Sequence, residues 1–191
     1  ARISGDSLEV VLPGRGANDI TFDNNGIMWI LGNDGLFSYD GLTLTPHDIT
    51  EDGELYMPQS FAVDGDGKVW FHRYYIYKTG LRCYDGTSVK AYHYGEDIPF
   101  NDIRGVAIDN DGAVWTGAMY FHLLCGKCPT YGGVTRYNGV SWTHFTDEDG
   151  LASNRILSMK VDPSGAVWAA HEYSGVSRYK DGVWEKFLPP V

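Results

Sequence analysis

The sequence predicts an all-β fold, a β-propeller of four four-stranded blades plus an extra N-terminal strand. Three observations carry this. An Asp, a Gly three residues on and a Trp three further recur four times: Asp23–Gly26–Trp29, Asp64–Gly67–Trp70, Asp109–Gly112–Trp115 and Asp162–Gly165–Trp168. A second signature trails each, Gly-Leu-Phe-Ser-Tyr-Asp-Gly at 35–41, Gly-Leu-Arg-Cys-Tyr-Asp-Gly at 80–86, Gly-Val-Thr-Arg-Tyr-Asn-Gly at 133–139 and Gly-Val-Ser-Arg-Tyr-Lys-Asp-Gly at 175–182. The tryptophans stand 41, 45 and 53 residues apart, and self-similarity at about 40–45 residues means one supersecondary unit stacked repeatedly. Finally, no helical i, i+3, i+4 run of useful length appears, while Gly and Pro punctuate at strand intervals.

The last repeat shows the parts most plainly. Arg155–Asp162 alternates apolar and polar residues, the period-2 mark of a strand. Pro163-Ser164-Gly165 is a turn, with Gly supplying the positive φ of a tight hairpin. Ala166–Ala170 is a second strand, His171–Ser174 a loop, Gly175–Tyr179 a third strand and Val183–Phe187 a fourth. Four short antiparallel strands in about 40 residues make a propeller blade. A single domain is expected over 1–191, with blades at about 14–56, 57–98, 99–150 and 151–190. Trp29, Trp70, Trp115 and Trp168 recur at one structural position, as residues packing neighbouring blades do.

Ahead of the first blade, Ser7–Leu12 reads as a strand ended by Pro13-Gly14. Its place matches the outermost strand of a preceding blade, although the last blade already carries Val183–Phe187. Either the surplus strand pairs at an edge, or the chain belongs to a larger ring. The stop at Leu188-Pro-Pro-Val191, where other repeats run on, favours the larger ring, and open blade edges invite a partner.

Composition excludes several function classes. The net charge of −10 argues against nucleic acid or an anionic membrane surface, both of which demand a basic face. No stretch approaches the roughly 18 apolar residues of a membrane span, and no basic-plus-apolar signal peptide stands at Ala1. No Gly-x-Ser-x-Gly, phosphate-binding Gly-rich loop or zinc-protease helix is present, which leaves nucleophilic and phosphoryl chemistry without support.

The run from Val106 to Asn154 states the repeat most fully, with its Asp-x-x-Gly-x-x-Trp hairpin, its Gly-Val-x-Arg-Tyr-x-Gly strand and its Asp-Gly-Leu-x-Ser-Asn close. It resembles the two-component-regulator propeller repeat, over nearly the whole chain. The hairpin is also similar to the Asp-box of sialidase-type propellers, without the flanking Ser and Thr. The resemblance implies a propeller of the kind that forms the periplasmic sensor of hybrid histidine kinases. Related propellers occur in secreted proteins and in a streptogramin lyase. The shared motif is structural and transfers no catalytic residue, so the extracellular or periplasmic location expected here rests on that likeness.

Where the blades differ lies the clue to function. Loops entering the first strand and loops joining the second and third strands open on one face. The entry loops repeat Asn and Asp, which shape turns through local side-chain bonds. The second-to-third-strand loops vary more. Blade two carries His72, Arg73, Tyr74, Tyr75 and Tyr77, blade four His171, Glu172 and Tyr173, and blade three a long insertion with Tyr120, His122 and Tyr131. That insertion adds about eleven residues relative to blade four, and such loops are usually functional or disordered. These aromatic, cationic loops either contact a ligand or pack on one another over the channel mouth.

Cys125-Gly-Lys-Cys128 lies in the insertion. Pro129 after the second Cys excludes c-type haem attachment. A disulfide between Cys125 and Cys128 is the simplest reading, with free thiols, or a metal recruiting Cys83 and His122, as alternatives. His72, His122 and His171 with Glu172 form the candidate cluster for a metal or general base. No cofactor is expected; Asp64, Asp66, Asp109 and Asp111 offer calcium as the alternative to plain turn chemistry. Three functional readings follow: a non-catalytic recognition domain binding a carbohydrate-like or other polar ligand through its aromatic loops, an assembly module contacting other chains or further blades, and a lyase or hydrolase with a His/Glu site.

Overall fold

The computed structural model of the chain describes residues 2–4, 7–9, 16–50, 60–73, 80–93, 95–99, 102–119 and 132–189. Strands β1 (Arg2–Ser4) and β2 (Ser7–Glu9) pair only with each other. Sixteen further strands form four antiparallel sheets in which neighbours in sequence are neighbours in space. Blade one is β3 (Ala17–Phe22), β4 (Met28–Gly32), β5 (Gly35–Tyr39) and β6 (Leu44–His47). Blade two is β7 (Phe61–Val63), β8 (Val69–Arg73), β9 (Gly80–Tyr84) and β10 (Val89–His93). Blade three is β11 (Ile103–Ile108), β12 (Val114–Ala118), β13 (Gly133–Tyr137) and β14 (Trp142–Phe145). Blade four is β15 (Ile156–Val161), β16 (Val167–His171), β17 (Val176–Lys180) and β18 (Val183–Phe187). The described residues contain no α-helix, only a 3₁₀ turn at Asp147–Asp149.

The N-terminal segment departs from the single expected strand, Ser7–Leu12. Among the described residues, Arg2–Ser4 pairs with Ser7–Glu9 in antiparallel register and with no strand of a blade.

Each Asp-x-x-Gly-x-x-Trp motif is the hairpin between the first and second strands, and its bonds explain its spacing. One carboxylate oxygen of Asp109 accepts the amides of Asp111 at 3.0 Å and Ala113 at 2.9 Å. The other accepts the indole N–H of Trp115 at 2.8 Å. The same triple bond pattern holds for Asp23, Asp64 and Asp162, with indole distances of 3.2, 2.9 and 2.9 Å. Gly112 sits at φ 80°, where a side chain would strain the turn, and its amide donates to the Asp109 carbonyl at 3.0 Å. The Tyr-x-Gly signature is a second clamp: the hydroxyls of Tyr39, Tyr84 and Tyr137 each donate to the carbonyl of the Gly two residues on, at 2.8 Å.

Side chains alternate across each strand, so every blade has one face toward its predecessor and one toward its successor. Between blades one and two pack Trp29, Leu36, Phe61, Phe71 and Tyr84. Between two and three pack Trp70, Leu81, Tyr92, Ile103 and Val106, and between three and four Trp115, Val134, Ile156, Met159 and Trp184. Three tryptophans of the repeat are therefore core residues, as expected, while Trp168 is only part-buried. Successive first strands adjoin, β3 with β7, β7 with β11 and β11 with β15, and so line the axis. Among the described residues β15 does not pack back on β3 in that way. Four blades thus make three boundaries, an arc with two uncovered faces.

Candidate ligand-binding face

Both sets of variable loops lie at the end of the sheets opposite the Asp–Trp hairpins. In blades one, three and four, backbone bonds tie the entry segment to the end of the second strand: Asn33 to Gly16 at 3.4 Å, Met119 to Asp102 at 2.8 Å and Glu172 to Arg155 at 3.0 Å. In blade one the Asn18 amide also donates to Asn33 at 3.1 Å. In blade four Asn154 reaches further, accepting the Asp147 amide at 2.8 Å and donating to its carboxylate at 2.7 Å. Entry-loop Asn and Asp therefore do shape backbone here, but partly across several residues.

The most distinctive chemistry on this face lies where blade two meets blade three. His72, one residue before the end of β8, turns toward blade three and is 2% exposed. Asp102, leading into β11, is also buried and pairs with Arg104 at 3.0 Å. Burial, aided by the neighbouring Arg104 charge, pulls the His72 imidazole down to about 4, so it is neutral near pH 7. Burial raises the Asp102 carboxyl above the usual carboxylate range against the pull of Arg104. Among the described residues His72 Nε2 and Asp102 Oδ1 have no hydrogen-bond partner. Buried polar atoms are normally satisfied, so two orphans that share Arg104 as a neighbour mark a place open to hydrogen bonds from something else.

Blade four presents a different arrangement. His171 is buried 5% exposed, and its Nε2 shares a 2.8 Å hydrogen bond with Ser177 Oγ, which also accepts the Ala152 amide at 2.9 Å. Burial lowers its pKa, with Lys186 adding and a Ser153 backbone bond opposing. Glu172 is ion-paired with Arg155. Tyr173 is 90% exposed at φ 63°, a backbone setting that is uncommon for a bulky residue.

The structure therefore places His72 and His171 on opposite flanks of blade three, each inside its own boundary. Neither is hydrogen-bonded to a carboxylate among the described residues, and Glu172 is committed to Arg155 rather than to His171. Tyr74, Tyr75, Tyr77, Tyr120, His122 and Tyr131, the side chain of Arg73, and the Cys125–Cys128 pair lie outside the described residues. Asp102 stands in the blade-three entry loop, where the sequence suggested turn shaping rather than a site, and Arg104 in β11 was missed. Arg82, 1% exposed in β9, was missed as well. The available signal was a charge at a strand position: Arg82 stands where the other blades carry Phe37, Thr135 and Ser177.

At the opposite end, a cleft between hairpins is lined by Asn24, Asp64, Asp66, Asp109, Asn110 and Asp111. Asp64 and Asp109 already hold their turns and indoles, and Asp66 pairs with Lys68 at 3.3 Å, so three of the four calcium candidates already have partners. Among the described residues no group of three His, Cys, Asp or Glu side chains gathers as a metal site.

No protein-family model and no curated protein matches the chain. Solved structures do. The chain is similar to the extracellular domain of the hybrid two-component system BT4673 of B. thetaiotaomicron, with a TM-score of 0.62 and 23% identity over 97% of this chain. The corresponding domain of BT3049 gives 0.62 and 22% over 88%. The chain has the β-propeller fold. It spans only 23% and 22% of the length of those two domains. A gluconolactonase of Xanthomonas campestris matches at 0.60 and 16% identity, over 91% of this chain and 62% of its own. Likeness at these identities extends to the blades and leaves the function to the residues above.

Proposed function

We propose that this chain is a non-catalytic recognition domain of an extracytoplasmic sensor, and that it binds a carbohydrate-like polar ligand on the loop-bearing face over blades two to four. The observation that carries the reading is the pair of unsatisfied buried atoms, His72 Nε2 and Asp102 Oδ1, beside Arg104. A neutral imidazole, a carboxylate oxygen and a nearby guanidinium offer the mixed acceptors and donors that hydroxyl-rich ligands need. Tyr173, exposed on the same face, adds a flat apolar surface with a polar tip. The extracellular sensor domains among the structural neighbours support this reading. The gluconolactonase shows that similar blades also carry enzymes, but His72 has no carboxylate partner among the described residues, and the Ser177 hydroxyl that pairs with His171 is fully buried and already accepts the Ala152 amide, out of reach of a substrate.

A glycan-binding screen followed by calorimetry on the best-bound glycan tests this. Asp102→Asn and His72→Gln should each weaken binding about tenfold or more, the effect of one buried hydrogen bond of roughly 1.5–3 kcal/mol. Circular dichroism should show both variants folded. Unchanged affinity in both folded variants refutes the assignment of this rim.

A further inference from the structure

Blades three and four meet at the hairpin end in an open cleft of about 480 Å³, whose lining includes Asp111, Arg136, Ser164, Tyr179, Lys180 and Asp181. The other cleft at this end, lined by Asn24, Asp64 and Asp66, has no Lys or Arg among its described lining residues. Two cations therefore set the blade three–four cleft apart.

Lys180 is a departure from the repeat. It stands where blades one to three carry Asp40, Asp85 and Asn138. Those side chains fold back on their own turns, each accepting two amides at 2.6 to 3.0 Å. A lysine cannot accept a hydrogen bond, and blade four closes instead with a two-residue Asp181-Gly182 turn at φ 52° and 86°. Released from turn duty, the Lys180 ammonium donates to Ser164 Oγ at 3.3 Å.

Arg136 departs in a subtler way, seen against its blade-four counterpart Arg178. Each guanidinium lies over the tryptophan of its own blade, Trp115 at 5.5 Å and Trp168 at 5.8 Å. Arg178 pairs with Glu185 across the strands at 3.6 Å, whereas Arg136 meets Thr143 in that register. The nearest carboxylate oxygen paired with Arg136 is Asp109 Oδ2 at 3.8 Å, and it already accepts the Trp115 indole. Arg136 Nε is thus buried with no hydrogen-bond partner among the described residues. The exposed Asp111 and Asp181 carboxylates likewise have no cation paired with them among the described residues.

We propose that this cleft binds a small zwitterion, a carboxylate and an ammonium group on one short frame, as in a free α-amino acid. The ligand carboxylate takes the Arg136 and Lys180 donors, and its ammonium faces Asp111 and Asp181. A simple anion leaves the two aspartates unmatched and a simple cation leaves the two bases so, which favours a ligand with both charges. The volume falls in the range of small-molecule sites. The cleft lies at the opposite end of the sheets from His72 and Asp102 and does not rest on the reading of that rim.

Calorimetry with glycine, glutamate, lysine and phenylalanine as free amino acids should find at least one that binds. Its N-acetyl and methyl ester derivatives, each lacking one charge, should bind about tenfold or more weakly. Lys180→Asn, which installs the blade-three residue, and Arg136→Gln should weaken the free amino acid to a similar degree, while His72→Gln should not. Circular dichroism checks folding, and Lys180→Asn decides alone if Arg136→Gln does not fold. Absence of binding by all of these amino acids at millimolar concentration overturns the proposal. So does a derivative that binds as well as its parent, full affinity in folded Lys180→Asn, or an equal loss in His72→Gln, which would move the ligand to the loop face.

Discussion

An aspartate bonded to an indole six residues away is the unit on which each blade depends. The spacing was legible in the sequence, but it reads there as two separate devices, a turn and a packing residue. What joins them is the hairpin, which folds Trp115 back beside Asp109 so that one carboxylate serves two amides and one ring. Removing that carboxylate leaves three donors without it. Asp109→Ala should therefore cost about 2–4 kcal/mol, since a hydrogen bond to a charged group contributes roughly 1.5–3 and neighbouring losses overlap. Trp115→Phe keeps much of the packing but removes the indole donor and some ring area. Urea titration should rank Asp109→Ala as comparably or more damaging, and an Asp109→Ala chain as stable as the parent would show the clamp to be ornamental.

Strands and turns followed from period-2 patterning and Gly placement, so most elements were legible. What the pattern could not convey was closeness between elements. The first strands of blades one, three and four carry register shifts after their first paired residue, and nothing in an alternating pattern marks them. β11 also approaches β15 through Gly105, where an added Cβ would stand 2.6 Å from the Met159 backbone nitrogen. Gly117 on β12 faces the Ile156 side chain as closely. A backbone contact of that kind has no side-chain signature beyond the glycine itself. Gly105→Val should be overpacked by about 1–3 kcal/mol or more, and a thermal melt should show a clear drop, whereas Gly105→Ala should fall less. Part of the candidate site was similarly hidden: His72 was flagged by its loop and Asp102 read as an entry-loop turn residue, but Arg104 and its pairing with Asp102 became visible only in the folded chain.

For the molecule as a whole, each of the three boundaries holds an imidazole drawn away from solvent: part-buried His47 against Trp29 at 4.8 Å, buried His72 beside Arg104, and buried His171 on Ser177. Burial lowers all three below the ordinary 6.5. Each is neutral when folded and binds a proton more readily when unfolded, so its stabilisation is intact above about 6.5 and is lost as pH falls toward the folded values, near 4 for His72. The urea midpoint should decline on acidification through this window, and His72→Gln should flatten the part of the decline nearest its lower limit. Stability that rises as the pH falls toward 4.5 would contradict the burial assigned to these rings. The blade array was legible as a choice between edge pairing and a larger ring, and among the described residues the N-terminal strands pair with each other rather than with a blade edge. There is also an evolutionary side to the placing of the Asp–Trp hairpins at one rim and the variable loops at the other. The rivets and the reading head never share residues. Under the proposed function, a lineage or a laboratory library varying the variable loops would alter recognition without touching any Asp–Trp hairpin.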